Sequence, residues 1–481
     1  MMALISPWIH NGNPTDFLLV KRNIKNIKGE CKGFWAECVK NHLMNNSHHL
    51  TLVMQMNELY RENMMIKEKA KNKEALSSVL DCEQLYRNGI KLNQDQDQSH
   101  RNVHCLPSLQ VSDVSRCSHP VCVHHEFAGS VCVQYSEQPT NNITYFQALS
   151  GINHLPEELK IYIPLFGAAI TQFRTEMFDH RQFSELWELH TSGITAEAFT
   201  SAHYKSLLTY EQGVLFSSYC LNDNVSSMFN LWEELFCRYL PIDEQKLRTI
   251  INMAANKATM SVTDAGHMYA MRSASNGLTP AANLSEMFFG LTQVRFLNDV
   301  REKSDLSDAV MKLNKIAKLL LSSQSLRRCA VNTTSNALPM VSDDVKRFLL
   351  SLPGIPSDVS TLSEGTVCVK TEYRKDFKND SPVNYAAKCF KTAPYSHEDS
   401  TRLEVLSKLL TMKYLHKEIR EKGGAYGAGA IFRDGIFSFF SYRFVKLTVT
   451  VSAHVYNRIT RSRAYFYFPF YRIFISITHI L

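Results

Sequence analysis

The glycine pair Gly423-Gly424 limits the folds open to this chain more than any other short stretch. Ahead of it Leu403, Leu406, Leu409, Leu410, Leu415 and Ile419 recur at helical spacing, so an amphipathic helix runs up to the glycines, which supply the backbone freedom to end it. Beyond it, residues 425–432 and 436–442 flank Asp434-Gly435, a dipeptide that tolerates positive φ, and the pattern predicts a β-hairpin. Arg420 and Tyr426 therefore stand on either side of a helix-to-strand corner. Such a corner can aim a guanidinium and a phenol at one point, where the fork clamps a carboxylate or carbonyl and the hydroxyl donates to a developing oxyanion. A helix cap followed by a plain surface hairpin fits the same spacing.

The rest of the chain excludes several classes. Its 481 residues suffice for two or three domains, and 44% apolar with 21% charged residues is an ordinary globular balance. The net charge of +7 is mild and spread along the chain, which argues against nucleic acid as a partner. Twelve cysteines without a Cys-x-x-Cys pair argue against a zinc ribbon and for reduced thiols. The densest patch, from Cys105 to Cys132 with His104, His119, His124 and His125, has irregular gaps and runs into strand-like sequence, a poor pattern for a metal. Residues 464–481 are apolar and aromatic but carry Pro469, Arg472 and His479, so no membrane span is expected there. Residues 1–14 have neither a secretory signal nor the character of a transit peptide, and the start reads as internal.

Residues 415–427, Leu-His-Lys-Glu-Ile-Arg-Glu-Lys-Gly-Gly-Ala-Tyr-Gly, resemble the C-terminal-half signature of the presequence proteases, a branch of the pitrilysin-like zinc metallopeptidases. Stretches beginning at Cys105, Thr209 and Pro382 resemble the same family in the same order, and the likeness extends from about residue 7 to residue 443. It implies an α+β fold of pitrilysin-type domains, each a mainly antiparallel sheet backed by helices, with a helical hairpin linker. It also implies roles for Arg420 and Tyr426. In the family the Arg and Tyr of this motif reach across a closed chamber, position the substrate and help bind the transition state at a zinc site in the other half.

On this reading residues 1–54 are the remnant of a second pitrilysin-type domain, with a strand-like run over residues 48–54. Its neighbours His48 and His49 would point to opposite faces of a strand and could not easily share an ion. Residues 55–104 form the hairpin linker, 105–340 a third domain, 341–443 an incomplete fourth, and 444–481 an unrelated tail. Within these, one helix is expected from Leu155 through Ala168, a longer one over residues 243–274, and a linker over residues 353–365.

The zinc motif itself is missing. In the N-terminal half of pitrilysin-like proteins the comparable helix carries His-x-x-Glu-His, whereas residues 155–159 read Leu-Pro-Glu-Glu-Leu, and Glu157 and Glu158 suit the first turn of a helix electrostatically. His100 and His104 have helical spacing but enclose no base, and Glu126 is wrongly spaced for His119, His124 and His125. Asp264 and His267, three apart, suit a surface or capping pair better than a dyad, since no nucleophile is spaced with them.

The resemblance implies the C-terminal half of a zinc metalloendopeptidase that degrades unstructured peptides, such as cleaved presequences, in the mitochondrial matrix. This chain binds no zinc on that reading and is inactive alone; the ligands are expected in an N-terminal half. The alternative is a non-catalytic peptide-binding subunit that completes a chamber in trans with a zinc-bearing chain. Neither nucleic acid nor membrane is expected as a partner.

Overall fold

The computed structural model describes residues 2–13, 15, 18–29, 33–77, 82–98, 107–117, 120–354, 362–366 and 384–444. Cys31, His100, His104, Cys105, His119, Pro382, Val383 and the tail from residue 445 lie outside the described residues. Two units separate, Met1–Cys117 and Ser118–Leu481.

In the first unit the described residues form the helices Met2–Ile9, Val20–Lys28, Phe34–Val39, Tyr60–Ser77 and Cys82–Gln98. The last two are the expected helical hairpin. No residue of Tyr60–Ser77 is buried, and Met65, Ile66, Leu85 and Leu92 stand exposed. The run over residues 48–54 is not a strand, because no ladder partner stands beside it among the described residues and strand-forming side chains alone do not hold one. His49 sits in the loop, its Nδ1 2.7 Å from the Asn46 carbonyl oxygen.

Twelve strands are described in the second unit: β1 (Val123–Ala128), β2 (Val131–Glu137), β3 (Ile143–Gly151), β4 (Arg174–Thr175), β5 (Thr195–Ala202), β6 (Thr209–Leu221), β7 (Tyr239–Leu240), β8 (Leu326–Thr333), β9 (Leu362–Glu364), β10 (Asn384–Lys391), β11 (Gly427–Arg433) and β12 (Ile436–Phe444). The large sheet runs β1-β2-β8-β3-β6-β5, with β9 on β6. Its pairs are antiparallel except β2 with β8. In β3 the alternation that makes a strand is plain: Thr144, Phe146 and Ala148 are buried while Tyr145 and Gln147 face water. The helix Val225–Arg238 covers that buried face with Val225, Met228, Phe229, Trp232, Leu235 and Phe236, three and four residues apart. Phe146 meets Phe229 edge-to-face at 4.9 Å, and the Trp232 indole N–H, buried with them, donates to Ser218 Oγ at 2.8 Å.

That core moves one expected boundary and subdivides two helices. The helix Leu338–Ser351 places Val341, Val345 and Phe348 in the same core, Phe348 5.5 Å from Phe236, so the third-domain core continues past residue 340. The helix expected over residues 155–168 is two, Glu157–Lys160 and Ile163–Ile170, because Pro164 has no N–H to bond back across the join. The long helix over residues 243–274 breaks at Ala265 into Glu244–Asp264 and Gly266–Ser275. Tyr385 of β10 fills the break, its hydroxyl donating to the Thr263 carbonyl that the interrupted helix leaves free. Part of the expected linker is β9, which pairs with residues 209–211 of β6.

The small sheet, β10-β12-β11, lies between two helical layers. On one face the helix Asp399–Leu410 continues into wider π-helical turns over Thr411–Glu421, and Leu403 and Leu415 pack on Ala428, Ala430 and Phe437. The helix Gly266–Ser275 covers the other face, where Cys389 Sγ of β10 lies 3.4 Å from the Met271 carbonyl oxygen. The mixed helices and mainly antiparallel sheets make the fold α+β, as expected.

Candidate functional site

The corner that the glycines announce is present. The helix closes with the Gly424 N–H on the Arg420 carbonyl at 3.1 Å and the Ala425 N–H on the Ile419 carbonyl at 3.2 Å. Gly424 has φ +72°, the left-handed conformation a side chain would resist. The hairpin follows with Asp434 at φ 51° and Gly435 at φ 74°, the two-residue turn whose twist matches its strands. Thr411 fastens helix to strand, its Oγ1 accepting from the Ala430 N–H at 2.8 Å.

This frame brings Arg420 and Tyr426 together. The guanidinium carbon of Arg420 stands 6.0 Å from the centre of the Tyr426 ring, and Tyr426 is 62% exposed, so its hydroxyl is open to a ligand. A second guanidinium joins them. Arg443, whose carbonyl accepts the Tyr426 N–H at 3.3 Å, holds its own guanidinium 5.7 Å from the same ring. Residue spacing around the signature does not reveal Arg443, but counting outward from the Asp434-Gly435 turn does, because a two-residue turn sets Gly427 opposite Tyr442 and so Tyr426 opposite Arg443.

Behind these three residues lies an aromatic floor. Gly427 and Gly429 offer bare backbone on which the rings of their cross-strand partners, Tyr442 and Phe440, lie flat. From the helix Gly266–Ser275, the His267 imidazole stacks on Tyr442 at 4.7 Å. Burial, with the nearby Arg443 cation adding to it, holds the His267 pKa below its ordinary value. Its Nδ1 is buried without a hydrogen-bond partner, so Asp264 and His267 do not form a dyad through that atom.

The other candidates stay apart. Glu157 pairs with Lys160 on its own short helix, and His154 Nε2 is 3.1 Å from Ser325 Oγ. His124 stacks on Tyr135 at 5.2 Å, while Glu126 is tied to Lys346 at 2.9 Å. Among the described residues no three His, Cys, Asp or Glu side chains come together as a metal site. The residues present do not fit a catalytic zinc, and no chemical step at this corner is routed through one.

Two family models match the chain: the associated domain of peptidase family M16, subfamily C, over residues 54–300, and the peptidase M16 inactive domain over residues 341–462, which passes beyond Arg443. The mitochondrial presequence protease of Danio rerio is 35% identical over 94% of this chain and 46% of its own length. That of Mus musculus is 34% identical over 92% of this chain and 46% of its own. The chain thus spans a little under half the length of these relatives. Among solved structures, a protease from Helicobacter pylori superposes with a TM-score of 0.51 at 13% identity, over 71% of this chain and 80% of that one, a likeness of fold.

Proposed function

The chain belongs to the peptidase M16 family, in its presequence-protease branch, and we propose that it supplies the C-terminal half of a zinc metalloendopeptidase that degrades unstructured peptides, such as cleaved presequences, in the mitochondrial matrix. The observation that carries the proposal is the corner: Arg420 and Tyr426 converge on a rigid frame with the phenol exposed. A fixed guanidinium binds a substrate carbonyl or carboxylate, and a fixed phenol donates a hydrogen bond that strengthens as a carbonyl oxygen gains charge. The frame holds both in place before substrate arrives, so little ordering is left to be done at the moment of reaction. A zinc-bearing N-terminal half supplies the metal, its ligands and the base.

That half can reside in the same polypeptide or in a second chain. The open exposure of Tyr426 favours a surface that completes a chamber against another part, which keeps the partner-subunit reading in view. The test is to mix this chain with the separately produced His-x-x-Glu-His half of a full-length relative and follow cleavage of a labelled unstructured peptide. Hydrolysis that needs both parts and weakens in Arg420→Ala supports the peptidase. Co-elution and peptide binding without hydrolysis support the non-catalytic subunit, and loss of both association and peptide binding sinks the two readings together.

A further inference from the structure

Arg420 and Arg443 are two guanidiniums directed at one phenol ring, at 6.0 and 5.7 Å, and among the described residues neither forms an ion pair with a carboxylate. Elsewhere on the same hairpin Arg433 has Asp434 at 3.4 Å. Like charges gathered without a counter-ion are held against their own repulsion, and the group that relieves it is an anion placed between them. Arg443 adopts φ 55°, a left-handed conformation uncommon for a side-chain-bearing residue, at the point where its carbonyl accepts the Tyr426 N–H. The ring beneath is itself braced, with Tyr426 5.7 Å from Tyr442 and Tyr442 stacked on His267.

We propose that Arg420, Arg443 and Tyr426 form a carboxylate subsite, and that Arg443 gives this corner a preference for peptides that present a carboxylate, whether a free C-terminus or an acidic side chain. The assignment rests on the peptide-binding reading above. Each guanidinium offers a planar fork that matches the two oxygens of a carboxylate, and the Tyr426 hydroxyl adds a donor. A lysine at position 443 keeps the charge but not the fork.

The experiment measures binding of three fluorescent peptides to the full chain by anisotropy: one unstructured sequence with a free C-terminal carboxylate, the same with a C-terminal amide, and the amide carrying one internal Asp. We expect the carboxylate-bearing forms to bind about tenfold more tightly than the plain amide, with the free C-terminus and the Asp form showing which source is preferred. Arg443→Ala and Arg443→Lys should remove the difference, and Arg433→Ala should keep it. Arg443→Gly serves as the folding control, since glycine suits φ 55° while the guanidinium is lost. Equal binding of all three peptides, or a preference that survives in Arg443→Gly, overturns the subsite and leaves the peptide-binding reading standing. No binding of any peptide overturns both.

Discussion

Gly427 lies directly opposite Tyr442 across the hairpin, so close that a methyl group on Gly427 would come within 2.4 Å of the phenol ring. The glycine is what lets Tyr442 lie flat and receive the His267 imidazole at 4.7 Å. Gly427→Ala should push Tyr442 off the strand and destabilise the hairpin by about 1–3 kcal/mol, as overpacking does. Urea unfolding followed by tyrosine fluorescence measures it, and an unchanged midpoint would contradict the packing described. Peptide binding should fall with it, because Tyr426 leans on the same ring.

Tyr426→Phe leaves the ring between its two guanidiniums and removes only the hydroxyl. If that hydroxyl donates to a developing oxyanion, the reconstituted enzyme should lose roughly 100-fold or more in kcat with little change in KM. A matching loss in KM instead would mean that Tyr426 binds the ground state as tightly as the transition state.

The parts of this fold legible in the sequence are those governed by neighbours in the chain. Gly424 ends a helix and Asp434-Gly435 turns a hairpin because their backbone angles are local requirements, and the structure has both. The break at Ala265 is hidden from the sequence because Tyr385, far along the chain, fills it. Residues 48–54 have strand-like composition and no strand, since a ladder needs a partner that composition does not supply. Arg443 stands in between: no motif marks it, yet the register imposed by the turn places it opposite Tyr426.

The helix Leu338–Ser351 carries a prediction about where the third-domain core ends. Phe348 is buried against Phe146 at 6.0 Å and Phe236 at 5.5 Å, so Phe348→Ala should cost about 3–5 kcal/mol. A fragment of residues 118–340 should lack cooperative unfolding, while one of residues 118–354 regains it. If both fragments melt alike, the helix is an appendage to that core rather than part of it.

His267 adds a dependence on pH whose sign follows from its surroundings. Burial first, and the Arg443 cation second, depress its pKa in the folded chain below the ordinary histidine value. The unfolded chain therefore takes up a proton at a pH where the folded chain does not. Stability is then complete above the ordinary histidine range and falls as pH drops through it, levelling off once the folded imidazole also protonates. His154 contributes in the same direction, depressed by burial and by Arg327. Urea midpoints taken between about pH 7.5 and 5 should decline in the native chain. His267→Phe, which keeps an aromatic ring against Tyr442 but cannot titrate, should decline less, retaining only the part due to His154 and the other groups. Arg443→Gly should bring the His267 pKa back toward its ordinary value and so make the decline shallower. A native chain whose midpoint rises on acidification across this window would show that the imidazole is stabilised as a cation, contrary to its buried place beside an arginine.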